Sequence, residues 1–552
     1  MEKRTPSADS GPQAAAEPEA GPVVARPIRF ARSLALVAGV ASATGFQPLG
    51  WWPATLAAFA VLLGLVGSAP DWRRAALTGW LFGVGHFVLG NNWIATAFTY
   101  QAEMPASLGW VAVVLLALYL ALYPALATLG TWLIVRSAAR SPASERSGTI
   151  GLVLAFAGLW TITEWLRSWV FTGFVWNPLG MVALGGFTRP GLAALAPWLG
   201  TYALSAVIAL LAGCWLLAAR LPSLPHKVAL VIAPVAALLL PQAITYQPEP
   251  GRLRFTLVQP NVPQDELTDP SRFESQFRRT ASLSLARVPG ERRVVLWPES
   301  GVPDYLRPGY PQAFYEDSTF AADPRAARER IGKVIGPGSL LLTGAVDLVM
   351  RRGEVVAADN SVTALDGDGR IRAGYIKSHL VPYGEYLPMR GLLEPLGLSR
   401  LVAGTLDFRA GPGPRTLDLR PWGRIGIQVC YEIIFSGRVV EGGNRPEFLF
   451  NPSNDGWFGA FGPPQHLAQA RMRAIEEGLP VLRSTTNGVS AVIDANGVVR
   501  AHLPQHVAGR LDGRTPRAHS PTPFARVGSL LPLGWAILLL GLSLVALRAR
   551  RR

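Results

Sequence analysis

The chain has 552 residues, of which 52 are Lys or Arg and 37 Asp or Glu, so charged residues make up 16% where a soluble globular chain carries about a quarter. With 49% apolar residues and a mean hydropathy of +0.25, neither a largely disordered chain nor a purely soluble one fits. Two cysteines exclude a disulfide scaffold, and the absence of CxxC, grouped Cys/His, GxxxxGK[ST] or GxGxxG patterns leaves no metal and no cofactor expected.

Residues 1–30 are rich in Pro, Ala and Glu and are expected to form a disordered cytoplasmic N-terminus. Seven apolar stretches follow, at about 33–48, 52–69, 75–98, 107–135, 149–166, 191–218 and 228–245, with an eighth at 527–547. The first two are short for a bilayer that asks for about 20 residues, and Phe46-Gln47-Pro48-Leu49-Gly50 turns the chain between them. A seven-span membrane domain at 31–248 and a C-terminal transmembrane helix at 527–547 are therefore expected. Between them, residues 251–525 hold 33 Lys+Arg and 28 Asp+Glu, the balance of an ordinary water-soluble domain.

Orientation comes from basic residues in alternate connections. One side receives Lys3, Arg4, Arg26, Arg29, Arg32, Arg73, Arg74, Arg136, Arg140, Arg146, Arg220, Lys227, Arg548, Arg550, Arg551 and Arg552; the short loops opposite hold Arg167 and Arg189. Both termini are thus expected in the cytoplasm and the soluble domain outside it, in a bacterium the periplasm. The basic pI near 10.3 follows from this topology, so no nucleic-acid partner is expected and the partner is the bilayer. Glu164, inside the fifth stretch, is costly in lipid and is expected to pair with Arg167.

Within 251–525, strand-like runs fall at 254–259, 294–297, 340–345, 361–365, 425–429, 448–450 and 489–493. Amphipathic helices fit 270–288, 321–335 and 464–478, and Asp366-Gly367-Asp368-Gly369 reads as a hairpin turn. This is an α/β or α+β pattern with helices covering sheets. Three reactive side chains stand at strand ends: Glu299 after VVLWP, Lys377 after RAGYI and Cys430 after GRIGIQV. A thiol at the start of a helix is expected to favour thiolate. Together a cysteine nucleophile, a carboxylate base and an oxyanion-stabilising ammonium make an acyl-transfer site that needs no histidine.

The ordered segments WPES, YIKSHLVPYGEYLP, VCYEIIF and NPSNDGWFGAFGPPQHLAQARMRAIEEGLPVLRSTTNGVS resemble the nitrilase, or carbon–nitrogen hydrolase, superfamily. Their particular wording resembles the apolipoprotein N-acyltransferase family, as do GWWP at 50–53, NWI at 92–94 and EWLRSWVFTGF at 164–174. The resemblance implies a multi-pass membrane domain of about eight helices carrying an αββα sandwich at 251–525. It also implies Glu299 as general base, Lys377 as oxyanion stabiliser and Cys430 as nucleophile, with Glu385, Tyr431 and Glu432 in support. Glu385 and Glu432 are expected to hold Lys377 charged and oriented, and the loop Trp457–Phe461 to border a lipid entry. Leu267-Thr268, Leu479 and Ala460 depart from the family wording without touching the triad.

The implied reaction moves a fatty acyl chain from a membrane phospholipid, through a Cys430 thioester, to the N-terminal amine of a diacylglyceryl-cysteine apolipoprotein. Two alternatives remain at this point. A membrane-tethered nitrilase-type amidase would use the same triad on a soluble amide and gives no reason for eight spans; a transporter or scaffold with an inert domain would not keep all three triad residues.

Overall fold

The computed structural model describes residues 30–100, 105–138, 145–393, 395 and 407–549. The expected disorder of the N-terminus lies outside this set, as do Arg140 and the last three arginines.

The first half of the chain is helical. Helices α1 (Ala31–Ala43), α2 (Trp52–Gly67), α3 (Trp72–Gly90), α4 (Leu108–Leu120), α5 (Leu122–Ala138), α6 (Glu145–Arg167), α7 (Ala196–Arg220) and α8 (Leu224–Leu239) follow the seven apolar stretches. The fourth stretch is split between α4 and α5, where Pro124 has no N–H to offer the Leu120 carbonyl. Among the described residues, the segments 108–138, 148–167, 192–220, 224–243 and 530–548 have the length and apolar content to cross a membrane, while α1 and α2 are shorter. Trp110, Val111 and Leu115 on α4 and Val228, Val231 and Ile232 on α8 point outward, the face a lipid solvent accepts and water does not. Close approach is made by glycine: a Cβ at Gly39 would lie 2.0 Å from the Phe82 carbonyl oxygen, so α1 and α3 meet backbone to backbone.

The expected Glu164–Arg167 pair is not formed. Glu164 instead accepts from the Trp160 indole (2.9 Å), the Leu179 backbone N–H (2.8 Å) and the Ser205 hydroxyl (2.5 Å). Arg167 donates to the carbonyls of Phe174 (3.3 Å) and Trp176 (3.0 Å). The chain after α6 folds back over its end, so uncharged donors and acceptors, from Trp160, Leu179 and Ser205 for Glu164 and from two backbone carbonyls for Arg167, satisfy both side chains before they meet.

Among the described residues, twelve strands build the second half: β1 (Pro250–Gln259), β2 (Val294–Leu296), β3 (Leu340–Arg351), β4 (Glu354–Asp366), β5 (Ile371–Ile376), β6 (Thr416–Asp418), β7 (Arg424–Ile427), β8 (Phe448–Ser453), β9 (Val481–Thr485), β10 (Ser490–Ile493), β11 (Val499–Leu503) and β12 (Gly509–Pro516). They form two six-stranded sheets, β12-β1-β2-β3-β4-β5 and β11-β10-β9-β8-β7-β6. Each has three adjacent parallel strands, β1–β3 and β7–β9, flanked by antiparallel ones. Leu257, Leu296 and Leu342 from the first sheet share one core with Ile425, Phe448 and Leu482 from the second, so the sheets pack face to face. Helices α9 (Phe273–Ser284) and α10 (Pro324–Ile335) cover the outer face of the first through Phe277, Ile331 and Ile335.

Helix α11 (Gly462–Glu477) covers the second sheet. It turns Leu467, Ala470 and Ala474 inward while Ala468, Met472 and Ile475 pack among the membrane helices. The chain closes with α12 (Leu530–Arg548), packed along α6 with its Ser543 hydroxyl on the Gly151 carbonyl (2.7 Å). The result is a nitrilase-like sandwich whose helix α11 is sandwiched in turn between sheet and membrane helices.

Glu477, at the end of α11, is pushed up to about 7 by burial and by the neighbouring Glu476 charge. The folded chain therefore keeps a proton that the unfolded chain releases above its ordinary value of 4.5, and this stabilisation is lost as pH rises towards 7. Glu477→Gln, which imitates the protonated form, is expected to raise the melting temperature at pH 8 and to change it little at pH 5. Equal shifts at both values would reject the assignment.

Candidate active site

The three residues marked by the sequence come together at the carboxyl ends of strands drawn from both sheets: Glu299 just past β2, Lys377 just past β5 and Cys430 just past β7. Each is buried, the lysine to 1% exposure. Lys377 Nζ donates to Glu385 Oε1 (2.9 Å) and more loosely to Glu299 Oε1 (3.4 Å). Asn360 on β4 ties the same two oxygens together, donating to Glu299 (2.8 Å) and Glu385 (2.7 Å). Burial alone would pull the ammonium down, but the two carboxylates outweigh it and hold Lys377 above its ordinary value. Lys377 is therefore a fixed cation in a water-poor site.

Cys430 begins a 3-10 turn, Cys430–Ile434, and takes a φ of +49°, a conformation that residues with a side chain adopt only where their surroundings over-determine it. The expected bias towards thiolate is not what the geometry produces. Burial pushes the thiol well above its ordinary value, the Glu299 charge adds to the rise, and Lys377 opposes it. The turn has five residues, too few to supply the dipole of a full helix. At rest the thiol keeps its proton, directed at the Asn454 carbonyl (4.0 Å). Asn454 also donates its backbone N–H to Glu299 Oε2 (2.9 Å), so one residue after β8 touches both Glu299 and the thiol. Gln264 in turn receives the Asn454 amide (2.8 Å).

Of the expected supports, Glu385 does hold Lys377. Glu432 does not: it accepts from the Tyr375 hydroxyl (2.8 Å), Ser378 N–H and hydroxyl (both 2.7 Å), His379 N–H (3.1 Å) and, with its other oxygen, Val429 N–H (2.7 Å). It thus pins the backbone on the far side of Lys377 to the residue preceding Cys430, because the strand ends bring main-chain donors to it first. Tyr431 faces the membrane domain, donating to the Gly173 carbonyl (3.3 Å) and packing near Phe174. In the Trp457–Phe461 loop, Phe458 is core, meeting Trp93 at 4.6 Å between ring centres and Trp176 at 5.7 Å, while Trp457 lies against Tyr100.

Behind Cys430 lies a buried cluster that the sequence did not announce. Arg483 forks onto both oxygens of Asp455 (2.7 Å each), and His466 sits between them and the Cys430 carbonyl, 3.0 Å from its Nε2. Burial and Arg483 lower the His466 pKa, so its ring is neutral. Its Nε2 donates to that carbonyl, and its Nδ1 lies 3.0 Å from both Arg483 Nη2 and Asp455 Oδ1. His466 and Asp455 stand in the segment that carries the family resemblance, but only the fold shows what they hold. Asn360 had no signal at all.

Comparison with known proteins agrees along the chain's length. Residues 38–214 match the apolipoprotein N-acyltransferase N-terminal domain and residues 255–511 the carbon-nitrogen hydrolase domain. The chain is similar to the apolipoprotein N-acyltransferase of Rhodopseudomonas palustris, 36% identical over 94% of this chain and 95% of that protein. It is also similar to those of Bradyrhizobium diazoefficiens, 35% over 94% of each, and Azotobacter vinelandii, 35% over 94% of this chain and 95% of that protein. With a relative above 30% identity along almost its whole length and both halves matched by family models, the chain belongs to the apolipoprotein N-acyltransferase family.

Proposed function

We propose that Cys430 carries a fatty acyl chain from a phospholipid to the N-terminal amine of a diacylglyceryl-cysteine apolipoprotein. Glu299 takes the thiol proton as Sγ attacks the ester carbonyl, and Lys377 stabilises the oxyanion. Collapse breaks the ester C–O bond, and the departing lysophospholipid oxygen takes the proton from Glu299. In the second half the amine attacks the thioester, Glu299 accepts an amine proton, the C–S bond breaks and the thiolate recovers that proton. The carrying observation is the buried Glu299–Lys377–Cys430 cluster beside a membrane-domain loop, joined by the Tyr431 contact to Gly173. A soluble-amide hydrolase would have no use for that junction.

The test is direct. Purified full-length chain mixed with phospholipid is expected to gain the mass of one acyl chain on the Cys430 peptide, and later addition of a diacylglyceryl peptide to remove it. No adduct with any phospholipid, together with turnover of a small amide, would favour the amidase instead.

The proposed location is the bacterial inner membrane with the 251–525 domain in the periplasm, where both lipid substrates are within reach. It is supported by the asymmetry of basic residues between alternate connections. A reporter active only in the periplasm should score when fused after residue 300 and fail after Arg140. A cytoplasmic result at residue 300 would reverse the assignment.

A further inference from the structure

Helix α11 grips the nucleophile turn and a membrane helix with the same side chains. Towards the turn, Arg473 Nη1 donates to the Ile434 carbonyl (2.8 Å), and Ser436, just beyond, donates to Glu476 Oε1 (2.8 Å). Towards the membrane domain, that Glu476 oxygen accepts both the backbone N–H of Thr201 (2.5 Å) and its hydroxyl (2.6 Å), and Arg473 Nη2 donates to the same hydroxyl (2.5 Å). Arg473 Nε and Glu476 Oε2 lie 2.7 Å apart as an ion pair without hydrogen-bond alignment. Thr201, Arg473 and Glu476 are each at most 1% exposed.

The membrane helix is built to receive this contact. Gly200 breaks α7 with φ +69° and ψ 168°, so the continuous helix starts at Thr201, whose N–H has no carbonyl in a preceding turn. An orphan donor at a helix start is ordinarily capped by a nearby side chain. Here the cap is a carboxylate 275 residues further along the chain, and its charge also suits the positive end of the helix. A side chain at Gly200 would meet the Phe524 ring at 2.5 Å, which leaves the break to glycine.

We propose that Thr201, Arg473 and Glu476 are positioning residues for Cys430: they fasten the far end of the Cys430–Ile434 turn to the start of a membrane helix and so hold the nucleophile at its unfavourable φ. His466 holds the near end through the Cys430 carbonyl. With both ends tied, Sγ stays aligned with Glu299 and Lys377; with the far end released, the turn relaxes towards ordinary backbone angles and the thiol leaves the base. The membrane domain then does more than anchor the catalytic domain, since it sets the nucleophile.

The test uses the full chain in detergent and the rate at which a small alkylating reagent labels Cys430, read on the Cys430 peptide. Thr201→Val is expected to slow labelling at pH 7 by about tenfold, the scale of one lost hydrogen bond to a charged partner. The loss should narrow as pH rises, because a thiol out of reach of Glu299 must ionise to solvent. Ser543→Ala removes an equally buried membrane-domain hydroxyl and serves as the control, with thermal midpoints recorded for both. If Thr201→Val does not fold, Arg473→Lys takes its place, with the same expected fall in labelling and narrowing with pH. A rate at pH 7 within twofold of the parent, a faster rate, or an equal slowing in Ser543→Ala at an equal thermal loss would each overturn the proposal. It rests on Cys430 being the reactive thiol, and the parent chain tests that separately. A parent thiol inert at every pH would fail the proposed function, whereas a reactive thiol indifferent to the junction would fail this proposal alone.

Discussion

Cys430→Ser is expected to abolish acyl transfer, by on the order of 10⁴-fold or more, the scale of removing the nucleophile from a working triad. The site explains why serine cannot substitute. Glu299, the carboxylate proposed to take the proton, also holds Lys377 and Asn454, and a hydroxyl is a far weaker acid than a thiol already pushed upward by burial. The fold should survive, because serine fits the same space and can direct its proton at the Asn454 carbonyl. Mass spectrometry after incubation with phospholipid should show no acyl adduct while the melting temperature stays within a few degrees. Near-parental transfer of palmitate by the serine variant would remove Cys430 from the mechanism.

The second expectation separates Lys377 from Glu299, to which the proposed mechanism gives different moments of action. Lys377 stabilises charge that appears on the acyl oxygen, so Lys377→Met should cut transfer by about a hundredfold to a thousandfold, the scale of one oxyanion donor. It should slow alkylation of Cys430 less, by losing only the cation that favours thiolate. Because the variant leaves Glu299 and Glu385 buried on either side of Asn360 with no cation, its melting temperature must be recorded beside its activity. In Glu299→Gln the thiol can ionise only to solvent. Alkylation and transfer should then fall together at pH 7, and both should recover by about tenfold per pH unit as thiolate accumulates. Equal losses of transfer and alkylation in a folded lysine variant would sink the oxyanion role. A pH-independent Glu299→Gln variant would sink the role of Glu299 as base.

The membrane helices and the three candidate residues were legible in the sequence for a local reason. Hydropathy over about twenty residues declares a membrane helix, and a carboxylate, an ammonium and a thiol at the ends of strand-like runs stand out together, their roles being implied by the family resemblance. Strand β9 was missed because Arg483 interrupts its apolar run, and only the fold brings Asp455 to neutralise that charge in the core. The edge strands β11 and β12 carry polar residues, and pairing with β10 and β1 makes them strands.

In the candidate site, the places of Glu299, Lys377 and Cys430 at strand ends were legible in the chain, but their states were not. Whether Cys430 is thiol or thiolate depends on its burial and on the balance of Glu299 against Lys377, distances that no spacing in the sequence encodes. Asn360, Asn454 and Gln264 join the site because their strands and loops converge there, and Glu432 serves the backbone because Ser378, His379 and Val429 N–H groups reach it first. The sequence by itself determined which side chains this protein could react with and which segments a bilayer could hold. Tertiary structure alone decided which residues would be charged and how the Cys430 turn was tied to Thr201, because electrostatics and capping act across space between residues hundreds of positions apart.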